Sequence, residues 1–331
     1  MEKRPLVSVI TPCHNSAAFV YRLMDSLLLQ SYPNVEVYVI DNDSKDNTAE
    51  VIRSYKERFL GKGYALYYIH QGDLGPSAAM QTGFKYIKGD YLLMPDSDDY
   101  YSGPESIDKF VKKFEELPDN YAIVRSQLQF VDERDMSPMN IIGNANMPED
   151  DPGTYFEDCL FGTNNYNYAP IGYMVKVSAL RAETKMNIFN AYNVGQQRQI
   201  CLPLYYAYKA WTIPEPLVCY LVRQKSISHG DYAKYSTQVT LYELNDTYIS
   251  SILNSIGKMP DKEKVHYKKE YLKECAKDMY LLAVQNKNTE GKRRFSREYL
   301  QYGGKPFDLV NKRLKLLLKR ITRYLIKIIH R

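Results

Sequence analysis

The 331-residue sequence has no Cys-x-x-Cys pair, and its five cysteines, at 13, 159, 201, 219 and 275, are odd in number. That spacing excludes a zinc ribbon and argues against a disulfide framework, so a reducing compartment, the cytoplasm, is expected. Nowhere do about 18 uncharged apolar residues run together, and no apolar stretch near the N-terminus precedes a small-residue cleavage site. Neither a membrane span nor a secretory signal is therefore expected. No Gly-x-Gly-x-x-Gly follows the first strand-like run, which removes a dinucleotide-binding oxidoreductase from consideration. Charge of one sign is scarce too. The formal net charge is +5, yet eight Lys or Arg and no acid lie between Lys312 and Arg331, so the rest of the chain carries −3. A body so balanced does not bind nucleic acid by charge. There is no internal repeat and no low-complexity segment. What is plentiful is tyrosine, 31 residues; a ring with a polar tip suits sugars or lipid head groups, although compositional drift produces the same excess.

The chain is organised around Tyr91-Leu92-Leu93-Met94-Pro95-Asp96-Ser97-Asp98-Asp99, where an apolar run that reads as a buried strand stops at Pro95 and delivers three carboxylates within four residues. Two carboxylates ~5 Å apart repel by roughly 3 kcal/mol at an effective dielectric of 20, so such a cluster calls for a cation or for donors from a partner. Hard oxygen ligands at a strand end suit Mg²⁺ or Mn²⁺, and ligands of open α/β sheets gather at the carboxyl ends of strands. A solvated acidic turn capping the helix near Pro104 would carry the same residues.

Strand, polar turn and helix alternate before this point. Leu6 to Thr11 reads as a first strand ending at Pro12, with Asn15-Ser16 as a helix cap; Val35 to Ile40 is a second, followed by Asp41-Asn42-Asp43-Ser44 and a helix capped at Asn47 with Glu50 three residues on. Tyr64 to Ile69 is a third strand and Ser77 to Ile87 a third helix. The alternation predicts a mostly parallel sheet with right-handed crossovers, bringing the loops at 11–16, 41–46, 70–77 and 95–99 to one edge. Further on, a helix from Pro104, strands at 121–124 and 128–131, a long loop at 132–153, a strand at 171–175, a helix over 195–210 and an extended piece from Trp211 to Val222 are expected. Residues 236–300 carry helical periodicity.

The blocks Pro5 to Asn15, Gln30-Ser31-Tyr32-Pro33-Asn34-Val35-Glu36, Ile40 to Thr48, Gly75-Pro76-Ser77-Ala78-Ala79, Gly89-Asp90-Tyr91 and Asp96-Ser97-Asp98-Asp99 resemble, in order and spacing, the family 2 glycosyltransferases with the GT-A fold. The resemblance runs over about residues 5–229. It implies an α/β fold with a Rossmann-like, mostly parallel central sheet flanked by helices, and a C-terminal helical extension. The implied division is a catalytic domain at 1–230, of which 1–100 binds the donor and 101–230 the acceptor, and a helical region at 231–331. The donor implied is a nucleotide-diphosphate sugar, a UDP-sugar foremost, held by Thr11, Asn15, Asp41, Asn42, Ser77 and Asp96. Asp96 and Asp98 would be the DxD pair that holds a divalent metal (Mn²⁺ or Mg²⁺), with His229 completing the metal or pyrophosphate contacts. Asp99, Gln196 and Gln197 would position a glycan or polyprenyl-linked acceptor. His14 and His70 are read as loop-start residues with no special task.

Three departures from the family pattern carry weight. Asn42 stands between Asp41 and Asp43 where two consecutive acids are usual, and an amide both donates and accepts. Met80-Gln81 replaces Arg-Asn at the start of the third helix. Gly195-Gln196-Gln197 stands where the family has Gly-Glu-Asp, and an amide cannot take the proton of an attacking hydroxyl near neutral pH. Asp158 and Asp231 are the replacement bases considered; an acceptor already ionised, or a retaining reaction, would need none. The two glutamines also admit a catalytically impaired relative that binds a nucleotide sugar. Finally, Val310, Leu314, Leu317, Leu318, Ile321, Leu325 and Ile328 form one stripe of a basic amphipathic helix at 309–331, suited either to the headgroup plane of an anionic membrane or to packing on the protein with a solvated basic face.

Overall fold

Apolar runs that pair on both sides and are covered on both faces need no alternation, and the first two strands of the chain are of this kind. The computed structural model, which describes residues 4–143, 152–164, 166–189, 195–223 and 234–311, shows β1 (Val7–Cys13) and β2 (Val35–Asn42) buried almost throughout. β3 (Ala65–Gln71), β2, β1 and β4 (Tyr91–Leu93) lie side by side and parallel. The register sets Cys13 beside Asp41 and Asp41 beside His70, so three strands end on one line. β4 pairs Val9 with Leu93, and its continuation carries the acids past the end of β1. Near the start of β2, Glu36 is satisfied by the Ser8 hydroxyl (2.5 Å), the Tyr38 hydroxyl (3.0 Å) and the Lys88 amide (2.7 Å). At Gly89 a Cβ would stand 2.6 Å from Ser8 N and 2.8 Å from Leu6 O, so only glycine allows the chain to enter β4 this close to β1.

Beyond β4 the sheet becomes mixed. The order among the described residues is β3-β2-β1-β4-β8-β6-β9-β5, with β7 on β6, where β5 is Tyr100–Tyr101, β6 Tyr121–Asp132, β7 Pro138–Ile142, β8 Tyr173–Lys176 and β9 Lys209–Val222. β8 runs antiparallel to both β4 and β6, whereas β6 and β9 are parallel. The two strands expected at 121–124 and 128–131 are thus one, carried through Arg125 to Gln127 by pairing on either side. Register shifts around Gln127 accommodate Pro214 and Pro216 of β9. The expected long loop contains β7, held on β6 by pairs such as Leu128 with Ile142.

The helices of this unit are α1 (Val20–Leu28), α2 (Thr48–Ser54), α3 (Lys56–Lys62), α4 (Pro76–Gly83), α5 (Ser106–Glu116), α6 (Pro152–Phe161), α7 (Val177–Thr184) and α8 (Gln197–Ala207). α1 begins later than its expected cap, because Ser16 and Asn15 spend their side chains on other loops. α2 is capped by Asp46 rather than Asn47: Asp46 Oδ1 accepts the Thr48 amide at 3.0 Å, while the Asn47 side chain makes no capping bond. On β6, Arg125 is 4% exposed and its guanidinium lies against the rings of Tyr155, Tyr166 and Tyr173 at 4.7–5.4 Å, a desolvated cation–π cage in the core.

The chain divides into one unit of Met1–Gln224 with Asn254–Lys258 and another of Lys225–Leu253 with Met259–Arg331. Within the second, α9 (Tyr235–Ser255), α10 (Asp261–Gln285) and α11 (Thr289–Gln301) surround Tyr242, Met279, Ala283, Phe295 and Tyr299. Asn288 caps α11 by accepting the Gly291 amide at 2.7 Å, and Arg294 pairs with Glu243 and Glu298. Asp231, His229 and the tail beyond residue 311 lie outside the described residues.

Candidate active site

The loops that leave the ends of β1, β2 and β4 are tied to one another by side chains. Asn15 sits in the left-handed region (φ 50°), which an asparagine tolerates better than most residues. Its amide donates to Ser44 Oγ at 2.9 Å and its Oδ1 accepts the Lys45 amide at 2.8 Å. His14 Nδ1 lies 2.7 Å from the Asn42 carbonyl oxygen, so this histidine pins the first loop to the second. Ser16 Oγ meets Ser97 Oγ at 2.8 Å and joins the first loop to the acidic one.

Asp41 is buried; its Oδ1 accepts the Ser44 amide at 2.9 Å, its Oδ2 accepts the Tyr68 hydroxyl at 2.5 Å, and His70 Nδ1 lies 4.0 Å away. Asn42 commits its amide to the third loop: Oδ1 accepts from Gln71 Nε2 (2.9 Å) and the Leu74 amide (3.1 Å), and Nδ2 donates to Asp73 (2.9 Å). Ser77 is buried in the first turn of α4, which Gly75 (φ 84°) and Pro76 begin. Met80 stands where the family has a cation, and the neighbouring Gln81 holds the chain after α7, donating to Met186 O at 2.7 Å and accepting the Ile188 amide at 2.9 Å.

The acids meet β9. Pairing of Tyr100 with Cys219 and Tyr101 with Val218 brings the Leu221 amide to Asp99 Oδ1 (3.1 Å) and Arg223 to Asp98 (Nε to Oδ2, 2.7 Å). The Nε–H lies off the line for a hydrogen bond, so the contact is coulombic; the guanidinium also covers Phe19, 4.2 Å from its ring centre. One arginine thus answers three carboxylates. Burial, then the charge of Asp98, pushes the Asp96 carboxyl up to about 7 against the opposing pull of Arg223. Burial, then Asp98 and Asp96, raises Asp99 well above the usual range. Asp96 keeps some water contact, which screens it more than Asp99. Among the described residues no three His, Cys, Asp or Glu side chains are grouped to hold a metal ion. The donor chemistry still fits Mg²⁺ or Mn²⁺: hard oxygens from Asp96 and Asp98, and a deficit of positive charge.

Further from the acids, Asp158 Oδ1 accepts from Thr163 Oγ1 (2.5 Å) and Asn164 Nδ2 (2.9 Å), shaping the turn after α6. Gln196 precedes α8, and Gln197 donates to Cys201 Sγ at 3.7 Å within the same helix; both glutamines are buried. Nine buried side-chain N or O atoms lack a hydrogen-bond partner among the described residues, and four of them are Thr11 Oγ1, Asp99 Oδ2, Asp158 Oδ2 and Gln197 Oε1. Buried polar groups are ordinarily satisfied, so their concentration on residues chosen from sequence for ligand contact is informative. Arg223 and the Ser16–Ser97 link escaped the sequence reading. The signal for Arg223 lay in Tyr220-Leu221-Val222-Arg223, a block that resembles the closing segment of the family, although the resemblance alone gave the arginine no role.

A family model described as "Glycosyl transferase family 2" matches residues 8–181. Curated relatives include an uncharacterized glycosyltransferase of Rickettsia felis, 32% identical over 146 residues, which are 44% of this chain and 23% of that protein. Glycosyltransferase GlyA of Streptococcus pneumoniae is 28% identical over 139 residues, 42% of this chain and 19% of that protein. The match therefore spans less than a quarter of either relative. Among solved structures, S. aureus TarS 1–349 in complex with UDP-GlcNAc has a TM-score of 0.65 at 16% identity, covering 90% of this chain and 79% of that one. The mannosyltransferase PcManGT of Pyrobaculum calidifontis, in complex with GDP-Man and Mn²⁺, has a TM-score of 0.52 at 15% identity, covering 98% and 88%. These likenesses establish the shared GT-A fold.

Because Asp96 and Asp99 hold their protons more tightly folded than unfolded, their contribution to stability is present below about pH 4 and is lost as pH rises toward about 7 when no cation is bound. Asp96→Asn should therefore gain on the parent with rising pH. In EDTA, the melting temperature of the variant should exceed that of the parent by several degrees at pH 8, with the gap closing toward pH 4.5. A gap independent of pH would remove the charge conflict from the account.

Proposed function

Because the chain belongs to glycosyl transferase family 2, we propose that it transfers a sugar from a nucleotide-diphosphate sugar, with UDP as the nucleotide, to a glycan or polyprenyl-linked acceptor in cell-surface polysaccharide assembly. The observation that carries this reading is the loop after β4, whose three carboxylates face one arginine and whose Asp99 Oδ2 is buried without a hydrogen-bond partner. Neighbours of the same fold bind UDP-GlcNAc and GDP-Man, the latter with Mn²⁺, which supports a donor of this class.

In this proposal Thr11, Asn15, Asp41, Asn42 and Ser77 hold the base and ribose side of the donor, with Asn42 acting through the loop that its amide fixes. Asp96 and Asp98 would hold Mn²⁺ or Mg²⁺, with His229 as a further ligand. When bound, the ion supplies Lewis-acid stabilisation of the departing diphosphate. Arg223, already 2.7 Å from Asp98, adds fixed positive charge on the same side. Asp99, Gln196 and Gln197 position the acceptor; the free Oε1 of Gln197 can accept a bond from its hydroxyl. The proton goes to a carboxylate, Asp158 or Asp231, and the transfer inverts the anomeric centre. Asp158 Oδ2, buried and without a partner, has the spare capacity for this task. The basic amphipathic segment at 309–331 would anchor the protein to the cytoplasmic face of an anionic membrane; among the described residues no helix is long and apolar enough to cross one. The alternative, a catalytically impaired nucleotide-sugar-binding protein, is favoured by the two glutamines alone, and a panel of UDP-, GDP- and dTDP-sugars that bind but are neither transferred nor hydrolysed with Mn²⁺ would select it.

Three outcomes are expected. Calorimetry of UDP with Mn²⁺ should lose its binding signal in Asp98→Ala while circular dichroism stays unchanged, and undiminished affinity would remove Asp98 from the site. Gln197→Ala should slow turnover by roughly 10- to 100-fold through lost orientation, less than the 10²–10⁴ of removing a general base; NMR of the product should show inverted configuration, and retention would dispense with a protein base. Deleting residues 309–331 should abolish co-sedimentation with anionic liposomes, whereas equal sedimentation of the truncated protein would rule the tail out as the anchor.

A further inference from the structure

The outer edge of the sheet carries a second concave surface. β3 is the end strand among the described residues, and a groove of about 770 Å³ wraps around it. On one face, Tyr38 and Tyr67 are cross-strand partners whose rings stack at 4.8 Å and 13°, and Tyr86 also stacks with Tyr38, the ring common to both pairs, at 6.2 Å and 24°. The central ring is buried, but Tyr67 is 43% and Tyr86 46% exposed. Since no strand among the described residues lies beyond β3, the outer side of Tyr67 is an open aromatic face at the sheet edge. On the other face, Arg53 covers Tyr68 at 4.8 Å. Arg53, Lys56 and Lys88 are exposed at the rim, none has an ion pair among the described residues, and no carboxylate lines the groove.

An open tyrosine face with hydroxyls at hand packs the C–H side of a sugar ring and still offers hydrogen bonds, whereas a partner strand would use the backbone edge and gain nothing from the stacked rings. Three exposed cations with no carboxylate among the lining residues favour a negative ligand. We propose that this groove binds an anionic glycan, one whose sugars bear carboxylate or phosphate groups, with a sugar ring on Tyr67 and its charges answered by Arg53, Lys56 and Lys88. The site is separate from the acidic loop. The two share Tyr68, whose ring lines the groove and whose hydroxyl donates to Asp41. A glycan bound here is held by the same molecule that carries the candidate active site, which raises the local concentration of its free end.

The test needs neither donor nor metal, so its failure is distinct from failure of the transferase reading. A galacturonate hexamer and a phosphorylated mannan oligomer, each titrated into the full chain by NMR or calorimetry, distinguish carboxylate from phosphate; maltohexaose is the neutral control. At least one anionic probe should bind with a Kd below about 1 mM, about tenfold tighter than maltohexaose. Tyr67→Leu and the pair Lys56→Glu with Lys88→Glu should each weaken it by about tenfold, while Tyr67→Phe, which keeps the ring, should retain it. Absence of binding by both anionic probes at about 10 mM, equal binding of maltohexaose, or binding that survives the substitutions overturns the proposal. So does a dimer in sedimentation that Tyr67→Leu dissociates, since a second copy would then cover the groove.

Discussion

The charge conflict at the end of β4 governs this molecule. Asp96, Asp98 and Asp99 stand on one short loop, and among the described residues the cation brought against them is Arg223, from the end of β9. Their proximity is imposed by the two-residue ladder between β5 and β9, which draws Asp99 onto the Leu221 amide. A fold satisfied with its own charges would not push Asp96 toward neutral pH. This arrangement leaves a deficit of positive charge at the edge where the other loops end, and a cation or a donor with its own counter-ion relieves it.

The remaining loops are rigid for a different reason. Each is closed by side-chain bonds to its neighbour: Asn15 to Ser44 and Lys45, His14 to the Asn42 carbonyl, Asn42 to Gln71, Leu74 and Asp73, Ser16 to Ser97. These bonds use up much of the polar surface of the loops, so atoms that remain without partners stand out. Thr11 Oγ1, Asp99 Oδ2 and Gln197 Oε1 are buried and unsatisfied, a condition that costs about 1–3 kcal/mol for each lost bond unless a ligand restores it. A rigid rim and unsatisfied interior atoms together describe a preorganised site.

The same sheet presents different chemistry at its ends and along its side. At the strand ends, backbone and carboxylate oxygens collect; along β3, rings and cations do. Tyr68 touches both, its hydroxyl on Asp41 and its ring under Arg53. Period two of the strand makes this possible, since Tyr67 and Tyr68 point to opposite faces and Tyr38, two strand positions from Ile40, lies on the face of Tyr67.

What the sequence by itself determined is the local alternation: apolar runs at 6–11, 35–40 and 91–94 announced the buried strands found at 7–13, 35–42 and 91–93, and polar loops and helices were legible between them. The family match follows from the same blocks, because Asp41, Ser77, Asp96 and Asp98 lie where local chain direction alone places them. Tertiary structure decided the partners. Asn47 looked like the cap of α2, but Asp46 won because its second oxygen also takes the Ala17 amide from another loop. Ser16 looked like the cap of α1, yet Ser97, 81 positions away, claimed its hydroxyl. Residues 138–142 carry no strand pattern, and they became β7 because β6 offered a free edge there. Arg223 met Asp98 only through the β5–β9 ladder. Propensity acts over a few residues and shows in the sequence; hydrogen bonds and ion pairs across long separations depend on register and on which strand ends lie side by side, and those exist only once the sheet has formed.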